Sequence, residues 1–260
     1  MFCIPFRGVA QDKPISIKLF GGYEFQNESY KARSASGFGL SGQFNYAISS
    51  RFDLNFRLDY EQMNLTQDDV LFEWNWDYWE DTYVDFLPGI TPQELNATLE
   101  YTSGDSIYSA TFHPTQQLKE VRFSTGLEYK LPAVGKFYPF IGLNAGISLF
   151  YRELKMTENW TKRFNLDPDN EQKFDYEYKY ELTHFAPSRE GQKIFAEPVL
   201  GTRFFLTPGL DLHFAFHYQH YFDRDEVGWL EDLLHLSAGG EIWFPLRSKT
   251  KFTIGLNFKY

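Results

Sequence analysis

Residues 51–60 read RFDLNFRLDY and alternate without interruption: Phe52, Leu54, Phe56, Leu58 and Tyr60 fall on one side, Asp53, Asn55, Arg57 and Asp59 on the other. Successive side chains of an extended chain point to opposite faces, so this is a β-strand with one apolar face and one charged face. The constraint is severe, because a one-residue slip would turn every carboxylate into the apolar phase.

The same alternation recurs along the chain. It appears in ISIKLFGGYEF from Ile15, GFGLSGQFNYAI from Gly37, KEVRFSTGLEYK from Lys119 and FIGLNAGISLFY from Phe140. It returns in AEPVLGTRFFL from Ala196, LDLHFAFHYQHYF from Leu210, LLHLSAGGEIWF from Leu233 and KFTIGLNFKY from Lys251. No helical period of useful length competes with it. Short connections (49–50, 132–136, 207–209, 245–250) alternate with long ones (27–36, 66–117, 152–193, 223–232). In a meander, alternate connections lie at opposite ends of the sheet. The fold class is therefore all-β, one antiparallel up-and-down sheet, most simply closed into a barrel because closure removes its edges.

A soluble barrel also alternates, so the apolar face must be assigned to core or to lipid. Segments of 10–14 residues suit a tilted membrane span better than a globular strand of about 5–6. Glycines 22, 37, 39, 126, 142, 146, 201, 239 and 255 fall on the polar face, where a water-exposed surface would gain nothing from them and a crowded lumen would. Aromatics make up 19% of the chain and recur near strand ends (Tyr23, Phe25, Tyr46, Tyr60, Tyr129, Tyr151, Phe222, Phe244), as interfacial girdles require. The apolar face is assigned to lipid, making this a transmembrane β-barrel.

With these features the chain resembles the small outer-membrane β-barrel proteins of Gram-negative bacteria. The resemblance covers residues 15–260 and is carried most specifically by the terminal IGLNFKY, which looks like the family's C-terminal insertion signal. FYPFIGLNAG and RFFLTPGLDL look like its strand starts and tight periplasmic turns. It implies residence in the bacterial outer membrane with long loops outside the cell. One tension stands: nine segments alternate, whereas bacterial single-chain barrels have an even number of strands. Eight to ten strands are expected, with LNATLEYTSGDSIYSATF (95–112) able to form an extra hairpin above the membrane.

The start, MFCIPFRGVAQDKP, has an apolar stretch and a small-x-small end at Gly8-Val9-Ala10, so residues 1–10 read as the remnant of a signal peptide and 11–260 as a single barrel domain. The only cysteine, Cys3, goes with that remnant. A net charge of −10 argues against nucleic acid.

The inward face carries both signs of charge. Asp53, Arg57, Asp59, Arg122, Glu128, Glu197 and Arg203 are expected to form a lumen charge network, because buried charges persist only when paired. His213 and His217, four apart on one strand, are about 13 Å from each other and cannot share a metal ion. HLSAGGE offers His235, Ser237 and Glu241, but the acid lies about 20 Å along the strand from the histidine and cannot orient it. No cofactor, metal or catalytic set is expected, and a non-enzymatic role is preferred.

The loops are more distinctive. Residues 68–86, DDVLFEWNWDYWEDTYVDF, hold seven acids and seven aromatics with no lysine or arginine. Trp74, Trp76, Asp77, Trp79, Glu80 and Asp81 are therefore candidate ligand- or partner-binding residues, with mutual packing into a folded cap as the structural alternative. KFDYEYKYEL (173–182) supports the cap, since its alternation suggests a strand rising above the membrane. The expected partners are outer-membrane lipid and lipopolysaccharide, and an extracellular or outer-membrane protein. The expected function is surface binding or structural support, with a narrow pore or small-solute transporter as the alternative.

Overall fold

A computed structural model describes residues 14–68, 70–84, 98–104, 106–164, 176–223 and 243–260. Ten strands form one antiparallel sheet: β1 (Ile15–Ser29), β2 (Ser34–Ala47), β3 (Phe52–Thr66), β4 (Thr98–Ser103), β5 (Ser106–Lys130), β6 (Phe137–Phe164), β7 (Tyr176–Phe185), β8 (Arg189–Thr207), β9 (Leu210–Tyr221) and β10 (Leu246–Lys259). Eight of them close a ring, β1–β2–β3–β5–β6–β8–β9–β10, with β10 paired back onto β1 from Ile17↔Phe258 to Phe25↔Thr250. Closure satisfies the backbone donors and acceptors of all eight wall strands laterally, which hydrocarbon demands of any structure crossing it.

The even count resolves the parity problem. β9 pairs directly with β10, from Leu210↔Phe258 to His220↔Ser248, so the alternating segment at 233–244 is not a wall strand between them. Residues 233–242 of that segment lie outside the described part of the chain. Phe244 is buried at 2% exposure and belongs to no girdle, and 245–250 is not a turn, because β10 already begins at Leu246. With eight strands the start of β1 and the end of β10 meet at the short-turn rim, where the Tyr260 amide donates to the Ile15 carbonyl at 2.9 Å.

The outward face is an apolar belt. Phe38, Leu40 and Leu143 are 71%, 70% and 60% exposed, values that only a non-aqueous surround makes favourable over so continuous a surface. Tyr23, Tyr46, Tyr60 and Tyr151 sit exposed toward the belt's ends, and beyond Val121 and Tyr151 the outward positions become Lys119 and Glu153, paired at 2.5 Å. This is the build of a bacterial outer-membrane barrel, and that is where the protein resides.

Two strands overrun the membrane. The β5–β6 ladder continues from Leu118↔Arg152 out to Ser106↔Phe164, roughly 40 Å along the strands. β4 adds to the outer part of β5, making the hairpin expected at 95–112, and β7 adds to the outer part of β6 from Lys155↔Phe185 to Phe164↔Tyr176. The result is a four-stranded sheet projecting from one side of the barrel mouth.

Inside the wall, glycine appears where a neighbour must come close. A Cβ at Gly39 would stand 2.7 Å from Glu61 Cγ and 3.0 Å from Lys251 Nζ, and one at Gly201 would strike the Phe140 ring at 2.4 Å. The absent side chains leave room for lumen groups to cross the barrel. At the extracellular end the lumen is roofed by an apolar layer that includes Met63, Leu118, Phe150, Phe195, Phe244 and Leu246, each at most 3% exposed.

Leu143, central on the outward face of β6, tests the lipid assignment. Leu143→Arg should cost about 2–4 kcal/mol in a urea titration of protein folded into lipid vesicles. A near-neutral change would place this face in water.

Candidate functional site

Period-two alternation on eight strands brings the polar side chains into one narrow lumen. All seven residues of the expected charge network are inside it and buried: Asp53, Arg57, Asp59, Arg122, Glu128, Glu197 and Arg203. Arg57 Nε reaches Asp59 at 2.8 Å and its terminal nitrogens reach Glu197 at 2.6 and 2.7 Å. Arg122 pairs with Glu61 and approaches Asp59 and Glu197 at 3.7 and 3.8 Å. Nearer the periplasmic rim, Lys18 pairs with Glu128 and Lys130 with Asp53, while Arg203 lies 3.8 Å from Asp53.

The centre of the network is a group the alternation only partly revealed. Lys249 contacts Glu61 at 2.5 Å, Glu120 at 2.7 Å and Glu24 at 3.2 Å, and Lys251 contacts Glu61 at 2.7 Å. Glu120 also accepts hydrogen bonds from Tyr221 and Ser148, each at 2.6 Å. Lys249 was missed because PLRSKT looks like a turn; the signal was its parity with Lys251, which points inward. His217 Nδ1 lies 2.8 Å from Glu197, and His213 is packed between the rings of Phe20 and Phe140.

Among the described residues the inward face of the barrel wall holds eight buried carboxylates and eight buried cations, with Lys130 and Lys259 adding positive charge at the periplasmic rim. Lys18, Glu24, Arg122 and Lys249 are 0% exposed, so water does not reach them. An eight-stranded barrel is just wide enough for side chains to fill, and these fill it at mid-height, beneath the apolar roof.

Above the roof sits a cap. Residues Val70–Glu73 (α1), Asp77–Trp79 (α2) and a π-helical turn at Glu80–Val84 fold onto the inner face of the projecting sheet. Asn75 bridges α1 and α2 in the left-handed conformation (φ 53°), and Arg189 donates to the carbonyls of Trp74 at 2.7 Å and Asn75 at 3.3 Å. Here the expectation of a tryptophan-lined recognition surface needs correction. Trp74, Trp76 and Trp79 are 1%, 6% and 0% exposed, in one cluster with Leu99, Phe112, Leu154, Met156 and Trp160. Their indoles are the cap's core, because Trp79 meets Phe112 edge-on at 5.2 Å and Trp74 Nε1 donates to the Pro187 carbonyl at 2.8 Å. The outer side of the cap is acidic: Asp77 and Asp81 are exposed and Glu80 half-buried.

The cap is tied to the sheet through Glu158, a fully buried carboxylate on β6. It accepts from Trp160 Nε1 at 2.7 Å and Tyr78 Oη at 3.2 Å, and lies 3.4 Å from His184 Nε2. Tyr78 stacks on His184 with ring centroids 4.4 Å apart. Burial, then the Glu158 charge, pushes the Tyr78 phenol up to about 12; burial, then the hydrogen bond to Glu158 and its charge, raises Tyr83.

Two predictions follow from this geometry. Arg122→Met removes the cation that Asp59, Glu61 and Glu197 share, leaves the interior one positive charge short and should cost about 3–5 kcal/mol in denaturant titration, with Glu61→Gln in the same chain restoring the balance of charge and recovering part of the loss. The second concerns pH. An ordinary tyrosine loses its proton near 10, whereas Tyr78 in the folded cap holds it to about 12. Between those values only the unfolded cap ionises, so cap stability falls as pH rises through that window. Limited proteolysis of the 68–86 segment should accelerate there; Tyr78→Phe should lessen the response, and adding Tyr83→Phe should flatten it.

No family model matches the chain, and no curated protein matches it. Among solved structures, Neisserial surface protein A aligns over 95% of this chain and 97% of its own, at 12% identity and a TM-score of 0.43. The attachment invasion locus protein Ail of Yersinia pestis aligns over 95% and 99%, at 8% identity and a TM-score of 0.35. The outer membrane protease OmpT from Escherichia coli aligns over 96% and 98%, at 8% identity and a TM-score of 0.36. The identities are too low and the superpositions too loose to carry an activity or a ligand across.

Proposed function

We propose that this outer-membrane barrel is a non-enzymatic surface-binding protein: a plugged, membrane-anchored stem that holds a rigid projecting sheet and cap outside the cell. The observation that carries the reading is the division of labour along the barrel axis. Mid-height is committed to paired charges that exclude water, so the wall serves as an anchor. The ordered structure beyond the membrane is large for a connection: strands of 25 and 28 residues, two further strands and a packed aromatic core. A bare anchor has no use for a preformed, rigid outer element, whereas recognition gains from one because less entropy is lost on binding.

The acidic outer side of the cap, with Asp77, Glu80 and Asp81, suits a basic or neutral protein partner. It suits the anionic lipopolysaccharide surface only through bridging divalent cations. The tryptophans beneath it act as positioning residues. The alternative reading, a narrow pore or small-solute transporter, would need a continuous water path past Arg122 and Lys249.

The test pairs two measurements on the same preparation. Planar-bilayer recordings should show no steady conductance. Replacing residues 68–86 with a Gly/Ser linker should leave heat-modifiable migration on gels intact while abolishing binding to host cells or extracellular proteins. Large reproducible channel steps would establish the transport reading, and undiminished binding by the linker variant would remove the cap from the function.

A further inference from the structure

At the far end of the projecting sheet the inner face changes character. Three cross-strand rows follow one another outward from the cap: Ala110–Trp160–Tyr180, Tyr108–Lys162–Tyr178 and Ser106–Phe164–Tyr176. Trp160 and Tyr180 are near-parallel at 6.2 Å, Tyr178 and Tyr180 lie 5.6 Å apart, and Phe164 and Tyr176 lie 6.0 Å apart. Trp160 is part of the cap's core, but Tyr176 and Tyr178 are 58% and 50% exposed.

The membrane does not account for those two rings. They pair with Phe164 and Lys162, roughly 40 Å along β6 from the end of the lipid belt at Tyr151, far outside any interfacial girdle. Nor do they protect the outermost strand of the projecting sheet, where charge would serve better than aromatic surface.

We infer that this face is a glycan-binding platform, taking a sugar chain that carries an isolated acidic group. Aromatic rings on a preformed sheet offer π-faces to the C–H faces of pyranose rings at little entropic cost, and tyrosine adds a hydroxyl for the sugar's own. Lys162 sets the charge preference. It is the only ionic group in the three rows, its ammonium lies 4.7 Å from the Tyr108 ring and 4.3 Å from the Phe164 ring, and no carboxylate lies within ion-pair distance among the described residues. A cation held between rings is placed to meet one anionic substituent of a stacked sugar. A densely sulfated polyanion fits poorly, because the chain carries a net charge of −10 and would repel the rest of it.

This inference rests on the surface-binding reading and names its ligand class. The probes are 3′-sialyllactose (one carboxylate), lactose (neutral) and a heparin hexasaccharide (densely sulfated), titrated by calorimetry into the full-length protein folded in detergent. Sialyllactose should bind saturably, lactose more weakly, and heparin no better than lactose. Tyr176→Ala with Tyr178→Ala should weaken sialyllactose by at least about tenfold, with heat-modifiable folding unchanged because both rings are exposed. Lys162→Gln should reduce sialyllactose to the level of lactose and leave lactose itself unaffected. Absence of saturable binding by any probe, or binding indifferent to the tyrosine pair and to Lys162, would overturn the platform. If cap-dependent binding to a protein partner persists in that case, only the glycan assignment falls; if no surface binding of any kind is found, the proposed function falls first.

Discussion

Lateral closure of the sheet is the constraint from which the rest descends. Hydrocarbon offers a backbone amide no partner, so the first and last wall strands must hydrogen-bond to each other, and β1 and β10 do so over nearly their whole length. Closure at eight strands sets the diameter, and that diameter leaves a lumen that side chains can fill. The polar face of each strand then has no water to meet. Its charges must meet one another, and Lys249 among Glu24, Glu61 and Glu120 is the outcome.

A network of this kind is conditional. Each ion has given up hydration that its partners return only while all of them are present, so the interior tolerates loss of a pair better than loss of one member. The glycines belong to the same arrangement. At Gly39 the missing side chain lets Glu61 and Lys251 meet across β1 and β2, and at Gly201 it admits the Phe140 ring. The apolar roof around Met63 and Phe195 then separates the charged interior from the cap. The stem and the outer element are distinct in chemistry although β5 and β6 run unbroken through both.

Outside the membrane the logic reverts to that of a soluble protein. Water is available on one face of the projecting sheet, so the other must bury apolar surface, and the acidic tryptophan segment supplies it. Its carboxylates keep the outer side solvated while Trp74, Trp76 and Trp79 pack inward. A segment that looks like an adhesive loop by composition is in fact a small core with a charged skin, and recognition is left to the skin and to the sheet's distal rings.

Alternation by itself determined the all-β class, which side chains of the wall strands face the lumen and the lipid assignment of Leu40 or Leu143. These properties depend on nothing beyond the pleat of an extended chain and the solvent on each side of it. Residues such as Arg57, Asp59 and Arg122 could be assigned to the interior for that reason. Which charge pairs with which, however, depends on register between strands more than 100 residues apart, as for Lys18 and Glu128. The strand count was also beyond local pattern, because LLHLSAGGEIWF alternates as well as any wall strand and only the direct pairing of β9 with β10 excludes it. The fate of the tryptophans was decided in the same way. Periodicity over 68–86 is too short and irregular to mark a buried face, and the indoles have a core to enter only because β4 to β7 are assembled above the membrane to receive them.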